Sequence, residues 1–243
     1  NGVAYPILVL LWLGTVWPVH RVFRTLLNGG SVSAELLSRA QVRAINLPWF
    51  LGGVLAIGWL LSAPALTSAL NGSADHVDTR VLFHLPVSIL IAAMITTTHG
   101  FLIVELLAER LLFPVLFVDR SPAGIAGTIS LSMNRRNLLC AVAVCVCPIL
   151  SLVLLAYNDA ESLSELNWFM IYVGAIGILL GMFCSWMVST HVAGPINALQ
   201  QSARVVASGS LDAKIDLQRA DEFGPLIDEF NHMIDEMRAK RDL

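Results

Sequence analysis

Five long apolar stretches, separated by shorter polar segments, dominate the first 190 residues. Each stretch is long enough to cross about 30 Å of hydrocarbon as a helix. They cover residues 3–20, 47–69, 81–106, 138–157 and 168–190. The pattern predicts an all-α fold in which residues 1–190 form a transmembrane domain, a polytopic bundle of helices.

Arginine is distributed unevenly among the connections between these spans. Eight of the nine arginines of residues 1–190 lie in the connections 21–46 and 107–137, whereas 70–80 and 158–167 are short and mostly acidic. Because short cytoplasmic loops carry the excess of Lys and Arg, the arginine-rich side is predicted to face the cytoplasm. The chain is therefore expected to be a multi-pass protein of the cell membrane.

A further expectation follows from this topology. Five spans that end inside require a chain that begins outside, so we expect a sixth span to precede Asn1.

The first arginine-rich connection is expected to contain a short helix. Ser33 is a suitable N-cap for this helix, which we expect to end before Leu47 and Pro48.

A different periodicity begins after Thr190, where two helical patterns flank a short linker. In the second pattern the apolar positions are spaced 3, 4, 3 and 4. This spacing is typical of a coiled-coil seam, and such seams need a partner helix to bury them. The simplest partner is a second copy of the chain. The residues assigned to the seam and the linker are Pro195, Ile196, Leu199, Ala203, Val206, Gly209, Leu211, Glu222, Phe223, Leu226, Phe230, Met233 and Met237.

This segment resembles a HAMP domain, a signal-relay module found just inside bacterial membranes. The resemblance rests on Pro195, on the linker start Gly209-Ser210-Leu211 and on the opening Asp221-Glu222-Phe223-Gly224, and it covers residues 191 to about 241. It implies that residues 191–243 form a cytoplasmic helix–linker–helix, which pairs in a homodimer as a parallel four-helix bundle.

Composition supports the membrane assignment and argues against nucleic acids as partners. The chain is 56% hydrophobic and 14% charged, whereas a soluble domain carries roughly 25% charged residues. The net charge of −3 leaves no basic surplus, so no nucleic-acid partner is expected. The four cysteines lie within apolar segments and are interpreted as reduced packing residues.

The third span carries polar and ionisable side chains within or near its apolar stretch. Charged groups inside a bilayer are costly and usually face protein or water. One hypothesis is a membrane-ligand site or a proton-sensitive switch, and the other is hydrogen bonding between helices together with ion pairs to loop arginines. The residues concerned are Thr96, Thr97, Thr98, His99 and Glu105. No metal site is expected, because no ligand spacing occurs in a neighbouring span.

The outward connections, about ten residues each, are too short to build an extracellular sensory domain. A stimulus is therefore expected from the membrane lipids, from a hydrophobic ligand dissolved in them, or from the cytoplasm. No nucleotide loop, catalytic triad or zinc spacing is visible, so no catalytic residue is assigned.

Many spans, almost nothing outside and a HAMP-like segment together resemble the membrane-bound class III adenylyl cyclases of mycobacterial type. That resemblance implies an output domain, absent from this sequence, in which ATP and two Mg²⁺ or Mn²⁺ ions give cyclic AMP and pyrophosphate. Two alternatives stay open. One is the membrane part of a multi-span sensor histidine kinase or diguanylate cyclase, and the other is a transporter-like or free-standing membrane protein with a HAMP-like appendix.

Overall fold

The computed structural model describes residues 4–73, 79–118, 120–129, 131–156 and 163–241. All regular secondary structure in these ranges is helical, which confirms the all-α prediction. The helices are α1 Ala4–Leu27, α2 Ala34–Ser73, α3 Thr79–Leu107, α4 Phe113–Leu116, α5 Met133–Ala141, α6 Cys147–Ala156, α7 Leu163–Ala207 and α8 Phe223–Arg241. Two π-helical turns, Ala108–Leu112 and Val142–Val146, join α3 to α4 and α5 to α6.

Four helical stretches of the described residues are long and apolar enough to cross a membrane. They are Ala34–Ala69, Leu85–Leu116, Met133–Leu154 and Met170–Ala207. They correspond to the expected spans 47–69, 81–106, 138–157 and 168–190, and they identify a multi-pass membrane protein. The expected span 3–20 lies in α1, which is helical but is not among the four, so that span stays a prediction. Val3 and Tyr157, at the ends of two expected spans, lie outside the described residues.

Helix α2 differs from the expectation of a short helix that ends before Leu47. It begins at Ala34 as expected, but it continues through Pro48 and Pro64 to Ser73. A proline inside a helix removes one backbone hydrogen bond. Membrane helices tolerate this loss because neighbouring groups satisfy the freed carbonyl.

The chain divides into two compact units. The first contains Asn1–Trp17, Leu47–Val104 and Asn137–Cys184, and the second contains Pro18–Asn46, Glu105–Arg136 and Ser185–Leu243. The second unit therefore combines the HAMP-like segment with both arginine-rich connections. The predicted boundary near residue 190 falls inside this unit.

Close helix contacts hold the first unit together. A Cβ atom added at Gly181 would lie 3.2 Å from Val144, and one added at Gly100 would lie 2.7 Å from Leu55. Small residues at such points let helices approach each other closely, as is usual in membrane bundles.

The second unit has its own apolar core. Val19 of α1, Ala44 of α2 and Phe117 after α4 are all at most 1% exposed and belong to one buried cluster. Two amides of α2 fasten the second arginine-rich connection to this core. Gln41 Nε2 donates to the carbonyl of Leu116 at 2.7 Å. Asn46 donates to the carbonyl of Gly127 and accepts from the amide of Ile129, both at 2.9 Å.

Candidate functional site

A buried cluster of six ionisable side chains lies in the second unit, and it joins the membrane connections to the HAMP-like segment. Its members come from the end of α3, the π-helical turn after it, α5, α7 and the linker before α8. They are Glu105, Glu109, Arg136, His191, Arg219 and Asp221. We call this set the ionic cluster. Buried ionisable groups persist only when they are paired, so each partner in such a cluster constrains the others.

Arg219 of the linker is the centre of the ionic cluster. Its Nη1 donates to Oε2 of Glu109 at 3.1 Å, and its Nε donates to Oδ1 of Asp221 at 3.3 Å. Its Nη2 donates to Oδ2 of Asp221 and lies 3.3 Å from Nδ1 of His191. All three guanidinium nitrogens therefore have partners, and the linker is bound to both the π-helical turn and α7.

The pKa of Arg219 reflects this surrounding. Burial acts to lower the pKa of the guanidinium, but the hydrogen bond to Asp221 and the charge of Glu109 act in the opposite direction. The net effect is a pKa above the ordinary value of an arginine. Arg219 is therefore a permanent positive charge in the cluster.

Arg136 of α5 forms the second positive centre. Its side chain is 2% exposed, and its Nη2 donates to Oε1 of Glu105 at 2.9 Å. Its Nη1 lies 3.8 Å from Oδ2 of Asp221. Asp221 thus lies between two guanidinium groups, one from its own linker and one from the membrane connection.

His191 lies where α7 leaves the last apolar stretch. Its Nδ1 is 3.3 Å from both the Nη2 of Arg219 and the Oε2 of Glu109. Its Nε2 is buried and has no hydrogen-bond partner among the described residues. The ring therefore packs against the pair formed by Glu109 and Arg219, and a change at this point of α7 would reach both.

The π-helical turn Ala108–Leu112 determines where Glu109 lies. Such turns are rare in proteins and often occur at functional positions. The same turn carries Arg110, whose guanidinium carbon lies 5.6 Å from the ring centre of Trp186 on α7. This distance is within the range of a cation–π contact. One helical turn therefore makes two contacts with α7.

A second set of contacts fixes the HAMP-like opening to α5. The carboxylate of Glu222 accepts a hydrogen bond from the backbone amide of Met133, with distances of 3.0 and 3.2 Å to its two oxygens. Met133 is the first residue of α5, so Glu222 satisfies one of the amides that a helix start leaves free. Acidic groups are favoured at this end of a helix.

Asp221 and Gly224 of the same opening have separate structural roles. Asp221 caps α8, because its Oδ1 accepts from the amide of Phe223 at 3.2 Å. A Cβ atom at Gly224 would collide with the backbone carbonyl of Arg219 and would lie 2.9 Å from Ala123. Only glycine therefore allows the linker and the second membrane connection to pack against the start of α8.

The linker begins with a left-handed glycine. Gly209 has a φ of +94°. The amide of Gly209 donates to the carbonyl of Val206, and the amide of Ser210 donates to the carbonyl of Val205. This pair of bonds is a Schellman motif, which ends α7 at Ala207. The role predicted for Gly209 as the linker start thus has a backbone cause.

The linker is then held against α8. Asn231 of α8 accepts from the amide of Ile215 and donates to its carbonyl, both at 3.0 Å. Nε of Arg238 donates to the carbonyl of Leu211 at 2.7 Å. Ala213 and Ile215 are buried, as are Ile227 and Ile234 of α8.

The seam predicted from the sequence lies on another face of α8 than the buried residues Ile227 and Ile234. Leu226, Met233 and Met237 are 51%, 40% and 42% exposed. Phe223 and Phe230 are half-buried. On α7 and in the linker, Pro195 is buried, Leu199, Val206 and Leu211 are half-buried, and Ile196 and Ala203 are exposed. The assignment of the seam to a dimer stays a prediction. In such a dimer, the exposed side chains of this face would be the ones that contact the second copy.

The polar run of the third span is divided between the two units. Thr96 donates to the carbonyl of Ala92 in its own helix, and Thr98 is buried. His99 has its Nδ1 2.7 Å from the carbonyl of Ile95, and its Nε2 lies 3.5 Å from the sulfur of Cys184. Oγ1 of Thr97 is buried without a hydrogen-bond partner among the described residues.

Glu105 belongs to the second unit, where it pairs with Arg136 of α5. Arg136 lies in the connection 107–137, so this pair is of the kind expected by the hypothesis of ion pairs to the connection arginines. A membrane-ligand role for the threonines and His99 stays a prediction. Among the described residues, no three His, Cys, Asp or Glu side chains are grouped so as to hold a metal ion.

Sequence reasoning assigns none of Arg219, Arg136 and His191 to a site. Arg136 was used only for the topology. The sequence does contain a sign of the role of Arg219. This arginine stands two residues before Asp221, in a linker whose other marked positions are alternating apolar residues. Asp221 itself was noted only as part of the four-residue opening.

Comparisons with known proteins find one domain family and several longer proteins that are similar to parts of this chain. Residues 187–239 match the HAMP domain family. Uncharacterized proteins of Mycobacterium bovis and Mycobacterium tuberculosis are 25% identical over 246 residues, which is 99% of this chain and 44% of each relative. The chain thus spans less than half the length of these curated relatives.

Two shorter similarities involve proteins of named activity. An adenylate cyclase of Anabaena cylindrica is 36% identical over 62 residues, 25% of this chain and 12% of that protein. A sensor histidine kinase of Bacillus subtilis is 27% identical over 82 residues, 34% of this chain and 17% of that protein. No solved structure matches the chain. The findings together identify a HAMP-containing membrane signalling protein.

Proposed function

We propose that this chain is the membrane-anchoring, dimerising and signal-relaying part of a membrane-bound adenylyl cyclase. The observation that carries the proposal is the 36% identity to an adenylate cyclase over 62 residues, in a chain whose second unit joins a HAMP domain to membrane connections. In this proposal the HAMP segment faces the cytoplasm and the chain lies in the plasma membrane as a homodimer. The reaction, ATP to cyclic AMP and pyrophosphate with two Mg²⁺ or Mn²⁺ ions, belongs to a domain outside this chain.

The relay is proposed to act through the ionic cluster. Helix α7 continues without a break from Leu163 to Ala207, so it contains both the last apolar stretch and the first HAMP helix. His191 of α7, Glu109 of the π-helical turn and Arg219 of the linker are in mutual contact. A shift of α7 against the turn would therefore change the position of the linker, and through it the position of α8.

A ligand can shift such an equilibrium only by binding one arrangement more tightly than the other. Couplings between sites are typically about 1–3 kcal/mol. Breaking one buried ion pair in the cluster costs at least as much. Making or breaking pairs in the ionic cluster therefore changes the free energy enough to favour one of two arrangements of the relay over the other.

The second candidate is a multi-span sensor histidine kinase with the same relay. It is favoured by the 27% identity over 82 residues to the Bacillus subtilis kinase. A HAMP segment is compatible with either output, so the two candidates differ in the chemistry of the domain that follows it. A diguanylate cyclase is a further output of the same kind, without a similarity of its own.

The test is the activity of the full-length gene product in native membranes. With ATP and Mg²⁺ or Mn²⁺, we expect cyclic AMP to form, and membranes that hold only residues 1–243 serve as the matched negative control. Transfer of the γ-phosphate to a histidine, without cyclic AMP, would replace the proposal by the kinase. Cyclic di-GMP from GTP would identify the diguanylate cyclase.

A further inference from the structure

Two thiols from different helices of the first unit are in contact. Cys140 of α5 and Cys184 of α7 are 6% and 5% exposed, and their side chains are hydrogen-bonded to each other. Both are free cysteines in the structure. We call these two residues the thiol pair. Two adjacent thiols on separate helices are the reduced form of a disulfide that would join those helices.

The packing of the helices explains why the thiols meet. A Cβ atom added at Gly177 would lie 3.7 Å from Pro148, and one added at Gly181 would lie 3.2 Å from Val144. Four residues forward along α7 therefore correspond to four residues back along α5 and α6, so the helices run antiparallel. The thiol pair lies three residues after Gly181 and four before Val144, which is the next level of this register. Close approach is also what a disulfide requires, since its Cα atoms lie about 4.4–6.8 Å apart.

His99 of α3 contacts one member of the thiol pair. Its Nδ1 lies 2.7 Å from the carbonyl oxygen of Ile95. A carbonyl only accepts, so Nδ1 carries the hydrogen, and Nε2 of the neutral ring is an acceptor. Because Nε2 lies 3.5 Å from the sulfur of Cys184, the thiol of Cys184 donates to it. The ring is therefore placed to take the proton of Cys184 and leave the thiolate, which is the reactive form of a cysteine.

We propose that Cys184 and Cys140 are a redox-active pair, which a hydroperoxide oxidises to a disulfide with His99 as the base that activates Cys184. Because both cysteines are buried among helices of the membrane domain, the oxidant must be small or soluble in lipid. Hydrogen peroxide and lipid hydroperoxides meet this condition and share the reacting group. The thiol pair stands on the structure of the first unit, whereas any effect of the disulfide on a relay rests on the proposed function.

The oxidation has two steps. The proton of Cys184 passes to Nε2 of His99, and the thiolate attacks one peroxide oxygen, so that an S–O bond forms and the O–O bond breaks. The departing oxygen takes the proton from His99 and leaves as an alcohol or water. Cys140 then attacks the sulfur of the resulting sulfenic acid, an S–S bond forms, and the hydroxyl group leaves with the proton of Cys140 as water. In sum, two thiols and one hydroperoxide give a disulfide, an alcohol or water, and a second water.

The test uses the whole protein, reduced and then placed in lipid nanodiscs without reductant. One arm receives hydrogen peroxide and the other receives cumene hydroperoxide, which dissolves in lipid. The remaining thiols are alkylated in denaturant, and the digest is mapped by mass spectrometry. We expect a peptide of α5 joined to one of α7 through the thiol pair, with Cys145 and Cys147 alkylated. The faster arm identifies whether the hydroperoxide arrives from water or from lipid.

Variants separate the roles of the three residues. His99→Asn removes the base and should slow formation of the disulfide roughly a hundredfold, the lower end of the usual contribution of a positioned base. Cys145→Ser, at an exposed position, is the matched control and should leave the rate unchanged. Cys140→Ala should stop the reaction at the sulfenic acid of Cys184, which dimedone traps. Cys184→Ala should leave Cys140 without dimedone, because Cys140 lacks the activating base.

Native protein in which Cys140 and Cys184 stay alkylatable in both arms would overturn the proposal, and this readout needs no variant to fold. Disulfides only between copies, through Cys145, would overturn it as well. An unchanged rate in His99→Asn, or equal dimedone labelling of Cys140 and Cys184 in the two alanine variants, would contradict the assigned base and attacking thiol. None of these measurements uses an enzymatic activity, so their failure and that of the cyclase assay are distinguishable.

Discussion

Arg219 and Glu109 are 110 positions apart in the sequence, and Nη1 of Arg219 donates a hydrogen bond to Oε2 of Glu109 at 3.1 Å. Both side chains are at most 10% exposed. The contact joins the linker of the HAMP domain to the π-helical turn Ala108–Leu112, which follows α3. Helix α7 leads from the last apolar stretch into the HAMP domain, and Glu109 of a membrane connection also binds the linker of that domain directly.

The contact of Glu222 with α5 gives a first prediction. Glu222→Ala removes the acceptor of the Met133 amide, so the start of α5 should lose about 1 kcal/mol of local stability, the usual effect of losing a cap. Hydrogen–deuterium exchange at Met133 should become several-fold faster. Glu229→Ala, at an exposed position of α8, is the matched control and should leave this amide unchanged. Equal exchange in all three proteins would show that the contact has no energetic role.

The two hydrogen bonds of Asn231 give a second prediction. Asn231→Ala removes both bonds to Ile215, which together contribute about 1–3 kcal/mol to holding the linker. Trypsin should then cleave after Lys214, an exposed linker residue, markedly faster than in the native protein. Asn197→Ala changes the same type of side chain at an exposed position of α7 and should not alter the cleavage rate. Unchanged cleavage in Asn231→Ala would mean that other contacts hold the linker.

Much of the fold could be predicted, because the length and periodicity of apolar stretches indicate helices. The HAMP segment and the four expected spans that correspond to long apolar helices could be predicted in this way. Gly209 and Gly224 were noted as motif residues, and the structure supplies the reasons, a positive φ and a close backbone approach. The continuity of α2 through Pro48 was missed, because a proline suggests a helix start unless neighbouring groups satisfy the freed carbonyl.

The ionic cluster could not be assembled from the sequence. Its members are spread from Glu105 to Asp221, and no spacing rule connects side chains on separate elements. The predicted topology already accounts for positive charges in the connections, so nothing in the sequence indicates that Arg136 has a buried partner. The buried face of α8, with Ile227 and Ile234, was also missed. It is offset by one position from the predicted seam residues Leu226 and Met233, and one helix can carry two apolar faces.

The exposed apolar face of α8 gives a third prediction. Met233 is 40% exposed, so Met233→Glu should leave the single chain folded. In a paired bundle it would place two like charges in the seam, which should weaken dimerisation by at least tenfold. Cross-linking of the full chain in membranes measures this effect, and Glu229→Gln serves as the control substitution. Undiminished cross-linking of Met233→Glu would count against the homodimer seam.

The most direct test of the account is a double-mutant cycle on Glu109 and Arg219, with the unfolding free energy of the whole chain measured in detergent. Glu109→Gln and Arg219→Gln should each destabilise the protein by about 3 kcal/mol, because each removes one charge from a buried, hydrogen-bonded pair. If the two groups act together, the double variant should lose at least about 1 kcal/mol less than the sum of the single losses. Purely additive losses would contradict the claim that the membrane connection and the HAMP linker are coupled through this pair.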